Sequence, residues 1–211
     1  MVAEARKINP DTRVNFDTNG YMTERSLERV LSFATSITYD LKAYDNELCL
    51  ALTGASAKPI LRNAELVGRH AKEKLWEYRI LVIPGINEED IKQLTEFVAD
   101  IDPSLPVCFL AFRPNFVLEN HPGAGSSLME KCVAVAKASG LKHAYWAGRP
   151  GIPGRVAAIE SKVGDKYSSK GARLAASYAF AAGCQSHPRN CTDCTSNQCC
   201  PIKTYLPARD S

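Results

Sequence analysis

Short apolar runs alternate regularly with helical patterns between residues 13 and 147, and this alternation constrains the fold more than any other feature. Strand-like runs lie at 13–17, 36–41, 78–83 and 107–112, and a last short one extends from Lys142 to Ala147. Patterns of amphipathic helices lie between them at 23–34, 46–52, 58–75, 88–100 and 127–139. Such alternation predicts an α/β fold with a parallel sheet and right-handed crossovers.

Local signals set some of the helix boundaries. Thr23 is a predicted N-cap, and Ser127-x-x-Glu130 has the pattern of a capping box that opens the fifth helix. Beyond residue 147 the character changes to a run rich in glycine and proline, followed by a predicted helix near 169–182. We therefore predict two parts, an α/β unit over 1–150 and a linker, helix and cysteine-rich tail over 151–211.

Composition excludes several classes of protein. The chain has 211 residues, of which 45% are hydrophobic, which is enough for a sizeable core. Its formal charge of +3 comes from scattered lysines and arginines, so neither a nucleic acid nor an anionic membrane is expected as a partner. The sequence has no run of apolar residues long enough to span a bilayer and no apolar signal-peptide core near Met1, which favours a cytoplasmic protein.

Polar side chains gather at the predicted strand ends. Asp40 and Lys42 are two residues apart at the end of the second strand, so they share one face. The runs that end near Asp17 and Gly85 also close on polar or turn residues. Ligands of parallel sheets bind outside the carboxyl ends of the strands, which predicts one shared site. The alternative is an ordinary solvated ion pair.

Eight cysteines are many for a cytoplasmic chain, and five of them follow residue 183. In a reducing compartment this clustering favours a metal or cluster site over disulfides. Either zinc or an iron-sulfur cluster fits the pair Cys191-x-x-Cys194. The predicted metal ligands are Cys184, Cys191, Cys194, Cys199 and Cys200.

The sequence patterns around the other cysteines and the histidines do not point to a particular ligand. Cys49, Cys108 and Cys132 lie in apolar segments and are predicted to be buried small hydrophobic residues. His121 begins a glycine- and serine-rich stretch that we interpret as a loop followed by a helix cap, although an anion-binding helix start is the alternative.

Three motifs occur in a fixed order and spacing, namely Asp17-Thr18-Asn19-Gly20, Asp40-Leu41-Lys42, and Arg79 with Val82-Ile83-Pro84-Gly85. As a set they resemble the second part of a radical S-adenosylmethionine (SAM) enzyme, most similar to the pyruvate-formate-lyase-activating enzymes and their archaeal relatives. The resemblance covers roughly residues 10–150. It implies an incomplete (β/α)6-type barrel of about four parallel strands with helices.

The resemblance also implies roles for individual residues. Asp17, Thr18 and Asn19 would lie beside the methionine end of SAM, and Asp17, Thr18 and Asp40 can also hold a monovalent cation there. Lys42 would pair with the cofactor carboxylate, and Arg79 would complete the electrostatic frame. No catalytic residue is assigned. The implied cofactors are SAM and a 4Fe-4S cluster.

Two departures from the family pattern bear on function. The family places Cys-x-x-x-Cys-x-x-Cys after its first strand, and no such triplet occurs before Cys184. The chain would then start at the third strand of the barrel, which leaves the strand at 13–17 as an open edge. Relatives also often carry a histidine at the tip of their last strand, where this sequence has Phe112-Arg113-Pro114.

The hypothesis that follows is the C-terminal part of a radical SAM activating-enzyme-like protein, inactive without a cluster-binding half. That half would be a missing segment or a separate chain, and a protein substrate is a further expected partner. The chain itself could be a fragment, the product of a split gene or a degenerate copy. One alternative is a non-catalytic metal- or partner-binding module, and another is an unrelated α/β fold with a zinc-stabilised tail.

Overall fold

Five parallel strands form a single sheet in the computed structural model, which describes residues 1–156, 163, 167–184, 194, 197–204 and 206. Each strand lies beside its neighbour in the chain, in the order β1 (Asn15–Thr18), β2 (Ser36–Leu41), β3 (Leu75–Val82), β4 (Pro106–Ala111) and β5 (His143–Ala147). The described helices are α1 (Val2–Ile8), α2 (Glu24–Phe33), α3 (Asn46–Thr53), α4 (Ala57–His70), α5 (Asp90–Ile101), α6 (Ser126–Ala138) and α7 (Lys170–Ala181).

The two faces of the sheet differ because side chains alternate along each strand. One face is apolar and packs against the helices, and Ile37, Tyr39, Leu41, Tyr78 and Ile80 on it are completely buried. The other face is polar, since parallel pairing places Asp17 beside Thr38 and Asp40 beside Arg79. The polar face therefore has the position of the interior of a barrel.

Two buried tyrosines fix helix α4 to the sheet. The hydroxyl of Tyr39 donates to Ile60 O and that of Tyr78 to Ala64 O, each at 2.6 Å. Their rings pack edge to face with centroids 5.7 Å apart. Burial raises the pKa of both hydroxyls, so both stay protonated and keep donating.

The structure confirms the α/β prediction and adds detail to it. It has five parallel strands, including the short one at the end, where the resemblance implied about four. In the part of the chain that the structure describes, β1 pairs only with β2 and β5 only with β4, so the sheet is not closed there. This arrangement fits a partial radical SAM barrel.

One predicted helix boundary and one predicted helix cap are wrong. The helical pattern over 58–75 ends at His70, and a short 3-10 turn then leads to Leu75, which already belongs to β3. The predicted capping box does not form, because α6 begins at Ser126 after Gly125, which makes no side-chain cap. In contrast, Thr23 caps α2 as predicted by accepting from Ser26 N at 3.2 Å.

Helix α7 is fastened to the α/β unit at its start. One carboxylate oxygen of Glu47 in α3 accepts from Ser168 N at 2.8 Å and from its hydroxyl at 2.6 Å, and these hydrogen bonds lower the pKa of Glu47. A Cβ on Gly171 would lie 1.8 Å from Ile86 O, so the helix approaches the loop after β3 as closely as glycine permits. The C-terminal part thus packs onto the sheet-bearing part.

Across residues 1–156 and the described part of the remaining chain, no helix combines the length and the apolar character that a membrane span requires.

Candidate functional site

Four charged side chains form one ion-pair network at the polar face. Arg79 lies at the centre, where its terminal Nη2 donates to Asp17 and its Nε lies 3.0 Å from Asp40 Oδ1. Lys42 Nζ donates to the other oxygen of Asp40 at 2.9 Å. Asp40 therefore lies between two cations, and Arg79 lies between two carboxylates.

The sheet places these groups directly. Asp40 and Arg79 are partners in the β2–β3 ladder, so their side chains leave the sheet next to each other on the same face. Asp17 lies on β1, beyond Asp40, and is reached by the long arginine side chain. Lys42 follows directly after the last residue of β2. Three neighbouring strands thus supply one site.

Electrostatics keeps Arg79 charged. Partial burial acts to lower the pKa of its guanidinium, but the hydrogen bond to Asp17 and the charges of Asp40, Asp17 and Glu77 outweigh it and raise that pKa. With two carboxylates and two cations, the network has no net charge. It presents both signs within a few ångströms, at side chains that are between about a fifth and a little over half exposed.

Thr18 and Asn19 serve the turn after β1 instead of joining the network. The Thr18 hydroxyl accepts from Gly20 N at 3.0 Å, and Asn19 Oδ1 accepts from Tyr21 N at 3.0 Å. Thr18 alternates with Asp17 along the strand, so its side chain leaves on the opposite face. The structure therefore brings together four of the six predicted cofactor-binding side chains, and the cofactor role of all six stays a prediction.

A second polar cluster on the same face was missed by sequence reasoning. Glu77, two residues before Arg79, accepts a hydrogen bond from the Tyr145 hydroxyl on β5. That hydrogen bond, followed by burial, raises the pKa of Tyr145. Cys108 lies between them on β4, and burial raises the pKa of its thiol to about 11. The sequence signal that could have revealed this cluster is the two-residue spacing of Glu77 and Arg79, which places both side chains on the same face of a strand.

Cys49, Cys108 and Cys132 are all buried, as predicted. His121 lies in the loop before α6, as predicted, and is buried there. Its Nε2 lies 2.7 Å from Pro84 O and its Nδ1 lies 2.7 Å from the Tyr178 hydroxyl. No local pattern marks this contact, because its partners are 37 and 57 residues away.

The predicted metal site in the tail has no counterpart among the described residues. Cys184 follows helix α7, and Cys199 ends a short 3-10 turn that Cys200 follows, while Cys191 lies outside the described residues. Within residues 1–156 and the described parts of the remaining chain, no group of three or more His, Cys, Asp or Glu could hold a metal ion. Ligation by the tail cysteines stays a prediction.

Comparison with known proteins points to one superfamily. The model of the Radical SAM superfamily matches residues 1–98. The isethionate sulfite-lyase activating enzyme of Oleidesulfovibrio alaskensis is 27% identical over 64% of this chain and 45% of its own length. The trans-4-hydroxy-L-proline dehydratase activating enzyme of Clostridioides difficile is 30% identical over 42% of this chain and 30% of its own length. The chain thus matches less than half of either relative.

A solved structure shares the fold. It is a domain of a pyruvate-formate lyase-activating enzyme from Bacteroides vulgatus, which superposes with a TM-score of 0.54 at 19% identity and covers 70% of this chain and 89% of that domain. Fold, motifs and matches agree on what the chain is similar to, namely proteins of the radical SAM superfamily. Both matched relatives are activating enzymes, so the sequence similarity is to that group of proteins.

The match to the Radical SAM superfamily implies SAM and a 4Fe-4S cluster, which are the cofactors of that family. The network of Asp17, Arg79, Asp40 and Lys42 fits SAM, because the methionine end of that molecule carries a carboxylate, an ammonium and a sulfonium. The described residues do not fit the cluster, since they offer no group of three thiolates.

Proposed function

We propose that this chain supplies the SAM-carboxylate-binding and substrate-facing part of a radical SAM activating-enzyme-like protein. The observation that carries the proposal is the ion-pair network that Arg79 of β3 forms with Asp17 near the end of β1 and with Asp40 and Lys42 at the end of β2. Lys42 has three N–H donors and uses one of them for Asp40, which leaves donors for a ligand carboxylate. The carboxylates of Asp17 and Asp40 balance the positive charges of the ligand.

Each residue has a defined part in this proposal. Lys42 donates to the ligand carboxylate, and Asp40 holds the Lys42 ammonium in place. Arg79 keeps Asp17 and Asp40 from repelling each other, since its guanidinium contacts both. SAM held by these residues would supply hydrogen-atom abstraction from the substrate by a 5′-deoxyadenosyl radical, which forms together with methionine when SAM takes up one electron. That electron would come from the iron-sulfur cluster of the second part proposed below. We propose a protein as that substrate.

Removal of the lysine charge gives a direct test. Wild-type chain should bind SAM about tenfold more tightly than decarboxylated SAM, because one charge-assisted hydrogen bond to a carboxylate is lost. In Lys42→Ala this preference should disappear, so that both ligands bind with similar affinity. Isothermal titration calorimetry with both ligands measures the ratio.

The matched control is Lys58→Ala, which removes an exposed lysine from α4. It should keep the wild-type ratio between the two ligands. A wild-type chain that binds both ligands equally, or a Lys42→Ala chain that still prefers SAM tenfold, would contradict the proposed role of Lys42.

We further propose that the cluster comes from another segment or a separate chain with the Cys-x-x-x-Cys-x-x-Cys motif, which would add strands beside β1. The free edge of β1 among the described residues supports this, because an unpaired strand edge accepts a further strand. The chain alone should then not cleave SAM when a strong reductant is present. Turnover by the chain alone, measured as 5′-deoxyadenosine, would refute the need for a second part.

The metal content separates this proposal from the alternative of a non-catalytic module. Iron, acid-labile sulfide and zinc are measured on anaerobically purified chain. Iron with sulfide supports an iron-sulfur cluster at the tail cysteines, and zinc alone supports a structural site there. A chain with neither metal would remove the tail assignment.

A further inference from the structure

The turn that carries Lys42 is not held by the sheet. The last paired residue of β2 is Leu41, which lies opposite Ile80, so residues 42–45 pass from the strand to helix α3 outside the ladder. The Lys42 ammonium is nevertheless found beside Asp40 at 2.9 Å. Some other contact must define the path of this turn.

That contact is the carboxylate of Asp90, the first residue of α5. One oxygen accepts from Tyr44 N at 2.6 Å and the other from Asp45 N at 2.9 Å. Only 4% of Asp90 is exposed, so its carboxylate is buried, and the two hydrogen bonds are partly buried. Burial raises the pKa of Asp90, while the two backbone N–H groups lower it. A buried carboxylate that accepts two backbone N–H groups fixes the turn at two consecutive residues.

The turn after β3 places Asp90 there. Asn87 is buried, and its amide donates to Leu81 O at 2.6 Å and accepts from Ile83 N at 2.8 Å. Its own carbonyl accepts from Asp90 N at 3.1 Å. The turn after β3 therefore brings the Asp90 carboxylate to the turn after β2. This contact connects the turn that follows the strand of Arg79 with the turn that contains Lys42.

An ordinary helix-capping role explains Asp90 less well. An acidic residue in the first turn of a helix is stabilised by the helix dipole, and Asp90 has that position in α5. Both of its carboxylate oxygens, however, accept from the turn after β2. The turn continues directly into α3, where Asp45 accepts from Leu48 N at 2.7 Å.

We infer that Asp90 is a positioning residue, which holds the turn at Tyr44 and Asp45 and so presents Lys42 beside Asp40 for a ligand carboxylate. The ligand part of this inference rests on the proposed function. The positioning part does not, because it concerns contacts within the chain.

Asp90→Asn is the test, with Asp100→Asn as its matched control. Both remove one negative charge from α5, but Asp100 is exposed. Asparagine turns an N–H group toward one of the two backbone donors, so hydrogen exchange at Tyr44 and Asp45 should accelerate about tenfold. The 15N resonance of the Lys42 ammonium should shift in Asp90→Asn and stay in place in Asp100→Asn. SAM affinity should fall severalfold with Asp90→Asn alone and by less than about twofold when Lys42→Ala is already present.

Two outcomes overturn the inference. One is a faster exchange at Tyr44 and Asp45 with an unchanged Lys42 resonance, and the other is an equal loss of SAM affinity in the two backgrounds. If wild-type chain does not bind SAM, the proposed function fails, while the exchange and 15N measurements still decide the positioning role. Should Asp90→Asn not fold, Asp90→Glu keeps the charge but moves the carboxylate, and the same shift of the Lys42 resonance is expected.

Discussion

Gly20→Ala is expected to destabilise the chain by about 2–5 kcal/mol and to weaken the proposed SAM binding at the same time. Gly20 has a φ of +70°, which disfavours any residue with a Cβ by about 1–2 kcal/mol. The new Cβ would also lie 1.7 Å from the Tyr39 hydroxyl oxygen, and overpacking of this kind adds about 1–3 kcal/mol. Urea denaturation followed by circular dichroism measures the loss.

The clash cannot be relieved locally. Tyr39 is completely buried and its hydroxyl donates to Ile60 O, so the ring has no free direction. The carbonyl of Gly20 accepts from Asn63 at 2.8 Å, which ties the turn to α4. The turn must therefore move to accommodate the new Cβ. Asp17 lies only three residues before Gly20 and should move with it. We expect the contact between Asp17 and Arg79 to weaken as a result.

Gly140→Ala is the control for this substitution. Gly140 also has a positive φ, of +98°, but a Cβ there would meet nothing within 4 Å. It should therefore show only the backbone effect, about 1–2 kcal/mol, and leave SAM binding unchanged. A Gly20→Ala chain that is no less stable than Gly140→Ala would show that the Tyr39 contact does not constrain the turn.

The meeting of Asp40 and Lys42 could be predicted from the sequence for a physical reason, whereas the place of Arg79 followed only from the family resemblance. Parallel strands end at the same edge of a sheet, so charged residues at the ends of neighbouring strands must meet if the strands are assigned correctly. The apolar run that ends near Asp40 was long enough for that assignment, whereas Arg79 stands near the start of the predicted run 78–83. The alternation of faces then placed Asp40 and Lys42 on one side.

Contacts between distant segments were beyond the reach of local patterns. Asp90 has the ordinary appearance of an acidic residue in the first turn of a helix, and only the packed structure shows that its carboxylate binds the turn after β2. The boundary at Leu75 was missed for a related reason. Apolar residues continue with helical spacing past His70, although the chain there turns into β3.

The site and the C-terminal helix are linked through the loops that follow the strands. The loop after β3 begins at Ile83 and contacts three elements in turn. Pro84 O accepts from His121, Ile86 O lies against Gly171 of α7, and Asp90 holds the turn that carries Lys42. A disturbance at the α7 contact can therefore reach the end of β3 without passing through the sheet.

His121→Ala should destabilise the chain by about 2–4 kcal/mol, because it leaves a cavity and removes the partner of two buried polar groups. A carbonyl can only accept, so His121 Nε2 carries the proton that Pro84 O binds, and Nδ1 accepts from the Tyr178 hydroxyl. The loss should appear in urea denaturation and as faster hydrogen exchange in α7, where Tyr178 lies.

The pH dependence of stability is the sharper readout of this histidine. Burial lowers the pKa of His121, although its hydrogen bond to Pro84 O acts in the opposite direction. The unfolded chain therefore binds a proton more readily than the folded chain, and stability falls as the pH drops from about 6.5 to the lowered pKa. The slope is at most about 1.4 kcal/mol per pH unit, and His121→Ala should remove this contribution.

His143→Ala removes an exposed histidine from β5 and should keep both the stability and the slope of the wild type. An unchanged slope in His121→Ala would mean that the histidine is not buried in its neutral form.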